Sequence, residues 1–393
     1  NPDRIRKTID EIAEKAETGR DDVSLVRLLW ARSAQVILSR HTGSITQYGN
    51  LAAGMLAQAE RLGLRRLAAQ AEYYCGAAAF ERNHLELAAE HLRRGFSEPA
   101  SGMTFHVWSG CLLVECLDLM GDPRGAGRVL ESLNDRVRYS SMTGFLPKLR
   151  QVAAGMATRR GESPPDLAAI QHALLSHSTW AMREAEGPPL GFLAPLIGDA
   201  MNWRREKALQ TVASVMETAR INHLPGPLIG GDIMLAWHEY LEGRHADAHA
   251  RLGAALARAN ELGRVRTVIG LGDFVLTLLE WHSRAGHGTE YVDFLIESME
   301  HEQDVRHGAR HATNLEEADR SNSGGSGPVD SLTNRELDVL HGLARRLSNK
   351  EIGDELSISH LTVKSHTRTL YAKLDVSGRR QAIARARELG HIE

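Results

Sequence analysis

The 393-residue sequence is poor in aromatic side chains (5%), holds three cysteines and shows no long apolar run. Each shortage excludes something. Cys75, Cys111 and Cys116 form an odd, sparse set that builds no disulfide framework, and no CxxC pair or Cys/His finger accompanies them. They read as buried apolar thiols in a reducing compartment. No run approaches the ~18 apolar residues of a membrane span, and the longest, "VIGLGDFVLTLL", carries Asp273. No signal peptide is visible and the first residue is Asn. The sequence therefore reads as cytoplasmic, away from membranes, and as a fragment or processed product. No Gly-rich GxxxxGK phosphate loop, nucleophile–base pair or metal cluster stands out, so an enzyme is the weakest reading and no catalytic, metal or cofactor residue is assigned.

What is present points to helices. Few aromatics beside abundant Ala and Leu favour an all-α fold, and the length suggests two or three domains. The net charge of −3 hides an asymmetry. Ser331–Glu393 carries 11 Lys+Arg and 8 Asp+Glu, a net of +3, while the remainder holds 36 and 42, a net of −6. A mildly basic tail on an acidic body points weakly to nucleic acid.

The body repeats itself. "NHLELAAEHL" (83–92), "GDPRGAGRVL" (121–130) and "GRHADAHARL" (243–252) each begin with Asn or Gly, with Ala five residues later and Leu nine later. Gly or Asn before a fresh helix fits a left-handed cap and a tight turn. The small Ala lets a neighbouring helix approach, and the Leu falls on the same face. Weaker copies start at Gly43, Gly161, Trp203 and Gly286, giving a period near 40 that suits a helix, a turn and a second helix. Residues 1–300 are thus expected to form a solenoid resembling tetratricopeptide-type arrays, whose concave surface takes a small-molecule or peptide effector. Trp30, Trp108, Trp237 and Trp281 read singly as core packing. Residues 301–330 lose apolar periodicity and end in "SNSGGSG", which predicts a flexible tether. His307 and His311 within it have i, i+4 spacing, yet no third ligand accompanies them, and a solvated helix end is the plainer reading.

After the tether the signals sharpen. "TNRE" (333–336) and "SNKE" (348–351) are capping boxes that open helices. Leu337, Leu340 and Ala344 mark an apolar face on the first, and Ile352 and Leu356 on the second. "SIS" turns the chain with Ile358 as a plug, and Ser359 can cap a third helix. Val363, Thr367, Leu370 and Leu374 recur at steps of 4, 3 and 4 on that helix. A short helix, a tight turn and a longer helix make a helix-turn-helix. Gly353 is placed at the crossing, where its cost of roughly 1 kcal/mol in helix propensity relative to Ala would be offset by closeness. The opposite face holds Lys364, Ser365 and Arg368, donors that suit a major groove, with His360 and Thr362 near the helix start.

Residues 332–390 resemble the LuxR-type (GerE-type) DNA-binding domain, through "LTNRELDVL", "LSNKEIGDELSIS", "TVKSH" and "KLDVSGRRQAIARARELG". Arg346, Gly353 and Asp375 depart from that family's usual Gly, Ala and Gly. The resemblance implies a four-helix domain at 331–393 that binds double-stranded DNA. In it Lys364, Ser365 and Arg368 would face base edges, and Asn349, Lys350, Thr362 and His366 would lie along phosphates. The fourth helix, about Gly378–Leu389, would pair two copies, and Ala382, Ala386 and Leu389 form a small-residue stripe suited to that contact. A helical array before this domain resembles the large ATP-dependent LuxR-type regulators, the group of the maltose-gene activator. Their ATP-binding module finds no counterpart here. The leading expectation is a transcription regulator whose array senses an effector or partner. The alternative is an interaction scaffold that recruits a partner to DNA and senses no small molecule.

Overall fold

The computed structural model describes residues 44–140, 142–160 and 202–321, positions 7–9, 11 and 35, and in the C-terminal part 334–345, 347–348, 351–352, 363, 367, 370–371, 374, 376 and 379–389. All regular structure among the described residues is helical. The chain divides into two units, Asn1–Met299 and Glu300–Glu393.

In the first unit α1 (Ile45–Arg61), α2 (Arg65–Glu81), α3 (Leu85–Ser97), α4 (Gly102–Leu119), α5 (Pro123–Tyr139) and α6 (Leu146–Arg159) follow one another, each packed on the next. After residue 201 come α7 (Asn202–Ile221), α8 (Pro225–Leu241), α9 (His245–Leu262), the single turn α10 (Arg266–Ile269), α11 (Phe274–His282) and α12 (Glu290–Ser321). The apolar run "VIGLGDFVLTLL" is split between α10 and α11, and no helix among the described residues is long and apolar enough to cross a membrane.

The turns explain the repeat. Asn83, Gly121 and Gly243, the starts of the three aligned stretches, all have left-handed backbones, with φ of 65°, 81° and 73°. In each case the next residue donates its N–H five residues back, as His84 to Ala79, Asp122 to Leu117 and Arg244 to Glu239, at 2.8–2.9 Å. This closure satisfies helix-end carbonyls and reverses the chain within a few residues. Ala88, Ala126 and Ala248, five residues on, are all fully buried, as are Leu92 and Leu252, while Leu130 is half-buried. The same closure recurs at Gly63, His223 and Gly263, so closures fall at 63, 83 and 121 before the undescribed middle and every 20 residues, at 223, 243 and 263, after it. Asp122 adds a side-chain cap, accepting from Gly125 N–H at 2.8 Å, and Pro123 occupies the first turn where no donor is lost.

Two expectations need correction. Trp203 is the second residue of α7, so that repeat start was placed inside a helix rather than on the turn before it. Residues 301–321, expected as tether, continue α12 as helix to Ser321. A helix can form without an apolar stripe, so loss of periodicity did not signal loss of helix. Gly43, Gly161, Trp30 and the "SNSGGSG" stretch lie outside the described residues.

One long core joins α1 to α6, through residues such as Tyr48, Met55, Leu92, Leu113 and Leu133. Two smaller cores join α7 to α12 around Val212, Met234, Ile233, Leu256 and Leu278. Cys75, Cys111 and Cys116 form no disulfide and are buried, as read from the sequence, and burial pushes the Cys75 thiol up to about 12. The early and late helices meet at a polar latch. Glu81 accepts from Thr267 N–H at 2.9 Å and Thr267 Oγ1 at 2.6 Å, and its carbonyl takes Val265 N–H at 3.0 Å. Buried Arg266 adds a hydrogen bond to Asn83 and lies over the Phe80 ring.

Candidate nucleic-acid interface

The second unit ends in a small helical core. α13 (Asn334–Ala344) contributes Val339, Leu340 and Leu343, Ile352 comes from the next helical stretch, and Val363, Leu370 and Leu374 come from the third. α14 (Arg379–Glu388) closes the core with Ala382 and Ala386. All four residues expected on the third helix's buried face are buried, and Thr367 settles its hydroxyl on the Val363 carbonyl at 2.7 Å. A polar group in a core is tolerable when satisfied in this way.

The second capping box forms in both directions. Ser348 N–H donates to Glu351 Oε2 at 2.7 Å, and Glu351 N–H donates to Ser348 Oγ at 3.3 Å. These bonds fix where the helix begins, two residues after Leu347 N–H closes onto Gly342 O at 3.1 Å and ends the helix before it. The turn into this helix is thus bonded on both sides. The Ser348 backbone N–H, and then its hydroxyl, hold the Glu351 carboxyl below the usual range. A lowered carboxylate pKa adds stability that is complete above the unfolded value and is lost as pH falls through the folded one. Glu351 is accordingly expected to titrate below a free glutamate when its carboxyl carbon is followed by NMR. Glu351→Gln should remove that part of the acid sensitivity, and an ordinary titration midpoint would contradict the box.

Two features were not read from the sequence. A Cβ on Gly342 would lie 2.7 Å from Ile352 Cγ1, so the close crossing of α13 is at Gly342. Gly353, expected at a crossing, lies outside the described residues. Arg379 donates to Leu343 O at 2.7 Å and Leu347 O at 2.9 Å, covering the carbonyls at the end of α13. An available signal was its position. A cation in the first turn of α14 opposes that helix's own dipole, which makes sense when the charge serves the end of another helix.

The expected reading and phosphate residues, Asn349, Lys350, Thr362, Lys364, Ser365, His366 and Arg368, lie outside the described residues, as do Thr333, Arg346, Leu356, Ile358 and Asp375. The expected pairing stripe is described, and two of its three residues face the core. Ala382 and Ala386 are 0% exposed, and Leu389 packs on the same cluster. Ala382 and Ala386 thus seal the domain's own core and offer a second copy no surface, while Leu389 stays half-buried. The outward face of α14 is Gln381, Ala384, Arg385, Arg387 and Glu388. His307 and His311 lie on α12.

Residues 330–386 match the family model described as bacterial regulatory proteins, luxR family. The nitrate/nitrite response regulator protein NarP of Escherichia coli K12 is 58% identical over 52 residues, 13% of this chain and 24% of that protein. The transcriptional regulatory protein LiaR of Bacillus subtilis is 53% identical over 55 residues, 14% of this chain and 26% of LiaR. The HTH-type transcriptional regulator MalT of Vibrio campbellii is 41% identical over 58 residues, 15% of this chain and 6% of MalT. The matches thus span about a quarter or less of these relatives. Together with the capping box, the crossing at Gly342 and the buried phase of the third helix, they make the C-terminal segment a LuxR-type (GerE) helix-turn-helix domain.

Proposed function

We propose that the chain is a transcription regulator that reads double-stranded DNA through its C-terminal domain and is controlled through its helical body. The observation that carries this reading is the burial of Val363, Thr367, Leu370 and Leu374. On an ideal helix at roughly 100° per residue, that phase would turn positions 365 and 368 away from the core and set 364 on the flank. Lys364, Ser365 and Arg368 are then the base-reading residues, and Asn349, Lys350, Thr362 and His366 the phosphate-contacting ones. NarP, LiaR and MalT are named as regulators, and likeness to them over this segment supports the same class of activity. The body is read as a tetratricopeptide-like solenoid, supported by left-handed closures 20 to 38 residues apart on either side of the undescribed middle and by the successive packing of α1 to α6.

Two copies are proposed to pair on DNA through the outward face of α14, with Ala384 and Arg387 central, setting the reading helices about one DNA turn apart. Selecting sites from random DNA with the full chain tests this. A two-fold symmetric site is expected, and Ala384→Glu should abolish preference for the full site over its half. A single asymmetric half-site bound as tightly as the symmetric one would refute the pairing.

The scaffold reading draws support from one cleft. Asp232 and Glu239 on α8 face Arg244, Asp247 and Arg251 around an open space of about 560 Å³. Buried Glu239 takes Arg251 through both oxygens at 2.9–3.0 Å. An open, charged groove suits a peptide or protein better than an enclosed apolar effector.

A further inference from the structure

Four of the 19 histidines, far apart in character from any sequence motif, gather where α9 packs on α11. His249 Nδ1 lies 2.9 Å from His282 Nδ1. His287 joins them from the turn Ser283–His287, which Gly286 bends with a left-handed φ of 89°. The three ring centres form a nearly equilateral triangle, 5.0 Å for His249–His282, 4.7 Å for His249–His287 and 4.9 Å for His282–His287. Trp281 lies flat against His249, with ring centres 3.6 Å apart and planes at 9°, and fixes that ring's orientation. His245, one turn earlier on α9, touches the same indole at 5.4 Å. The cluster also has an entry path. His282 is 4% exposed, His249 half-buried, and His287 and His245 exposed.

We propose that His249, His282 and His287 form a binding site for a first-row divalent metal such as Zn²⁺ or Ni²⁺, with His245 or water available as a fourth donor. Imidazole-only donor sets suit these metals. With metal–nitrogen bonds of about 2.0–2.1 Å, three imidazoles around a tetrahedral centre have ring centres roughly 5 Å apart. That is the spacing the rings already hold. As the rings stand, no three His, Cys, Asp or Glu side chains among the described residues are placed to hold a metal ion. A hydrogen bond joins the two Nδ1 atoms, and metal uptake would replace it and require the exposed His287 ring to turn inward. The backbone need not move, because α9 and α11 are fixed by the core beneath them, Leu252, Leu256, Leu278 and Leu279.

The test uses the full chain without an affinity tag, dialysed to equilibrium against ZnCl₂ or NiCl₂, with metal content read by elemental analysis. One equivalent per chain is expected, together with partial quenching of tryptophan emission by Ni²⁺ through Trp281. His287→Ala, on an exposed turn where folding is unaffected, should weaken binding on the order of tenfold or more. His249→Ala combined with His287→Ala should abolish it, while circular dichroism reports an intact body. His307→Ala with His311→Ala, the other closely spaced pair, should leave binding unchanged. No retained metal, equal affinity in the His287→Ala chain, or loss of binding in the His307/His311 variant would each overturn the site.

Discussion

Replacing Gly342 by valine is expected to melt the C-terminal domain well below its normal temperature while leaving the body folded. The side chain would enter space held by Ile352, whose Cγ1 and Cδ1 would lie 2.7 and 3.0 Å from the new Cβ. Ile352 is 1% exposed and packed among Leu340, Leu370 and their neighbours, so it has little room to yield. Two effects oppose each other. Valine improves on glycine in helix propensity by a few tenths of a kcal/mol, whereas overpacking a close crossing costs about 1–3 kcal/mol. The steric term wins. A domain of this size has only a few kcal/mol of stability, so the loss should lower its melting point by on the order of 10 °C. Differential scanning calorimetry of the full chain reads this directly. An unchanged transition would mean that the helices do not cross at Gly342.

Lys364→Ala and Arg368→Ala are expected to cost on the order of 1–3 kcal/mol each on the selected DNA site, and to relax base preference at the positions they read. Lys350→Ala should act differently. As a phosphate contact it should weaken all sequences alike and make the salt dependence shallower by about one unit. The two classes are separated by measuring each variant on selected and random DNA at several salt concentrations. If Lys364→Ala loses equally on both, its side chain belongs with the phosphate contacts.

Much of the body was legible because its turns impose a residue-level demand. A left-handed position requires Gly or tolerates Asn, and Asn83, Gly121 and Gly243 announced themselves in that way. His223 makes the same closure with a residue that carries no such signal, Gly63 has the Ala five residues later but Glu72 in place of the Leu, and Gly263 lacks both. The helix running on to Ser321 was illegible for the reason already given: its second half has no stripe to bury.

In the C-terminal domain the third helix was read correctly at all four buried positions, because burial on one face leaves a clean 3.6-residue period. The first helix was read about one position out of phase. Leu340 is buried and Leu337 packs half-buried on the core as expected, but the fully buried neighbours are Val339 and Leu343, and Ala344 is only half-buried. Buried Glu336, 3% exposed, explains part of the error, since a carboxylate on the inner face breaks the apolar pattern. The Ala382/Ala386 stripe shows the opposite failure. Small residues at helical spacing signal close packing without saying whether the neighbour is the same chain or another. The histidine cluster carried no pattern at all, since His249, His282 and His287 meet only through the packing of α9 on α11.

The central claim is that the C-terminal domain distinguishes one DNA sequence from another. The most direct measurement is the ratio of the full chain's affinity for a selected site to its affinity for random DNA, at fixed near-physiological salt. A sequence reader should give a ratio of about 10³ or more, and Arg368→Ala should bring it down by at least tenfold while Lys350→Ala leaves it nearly unchanged. A ratio near one in the unmodified chain, with binding that simply fades as salt rises, would contradict the account.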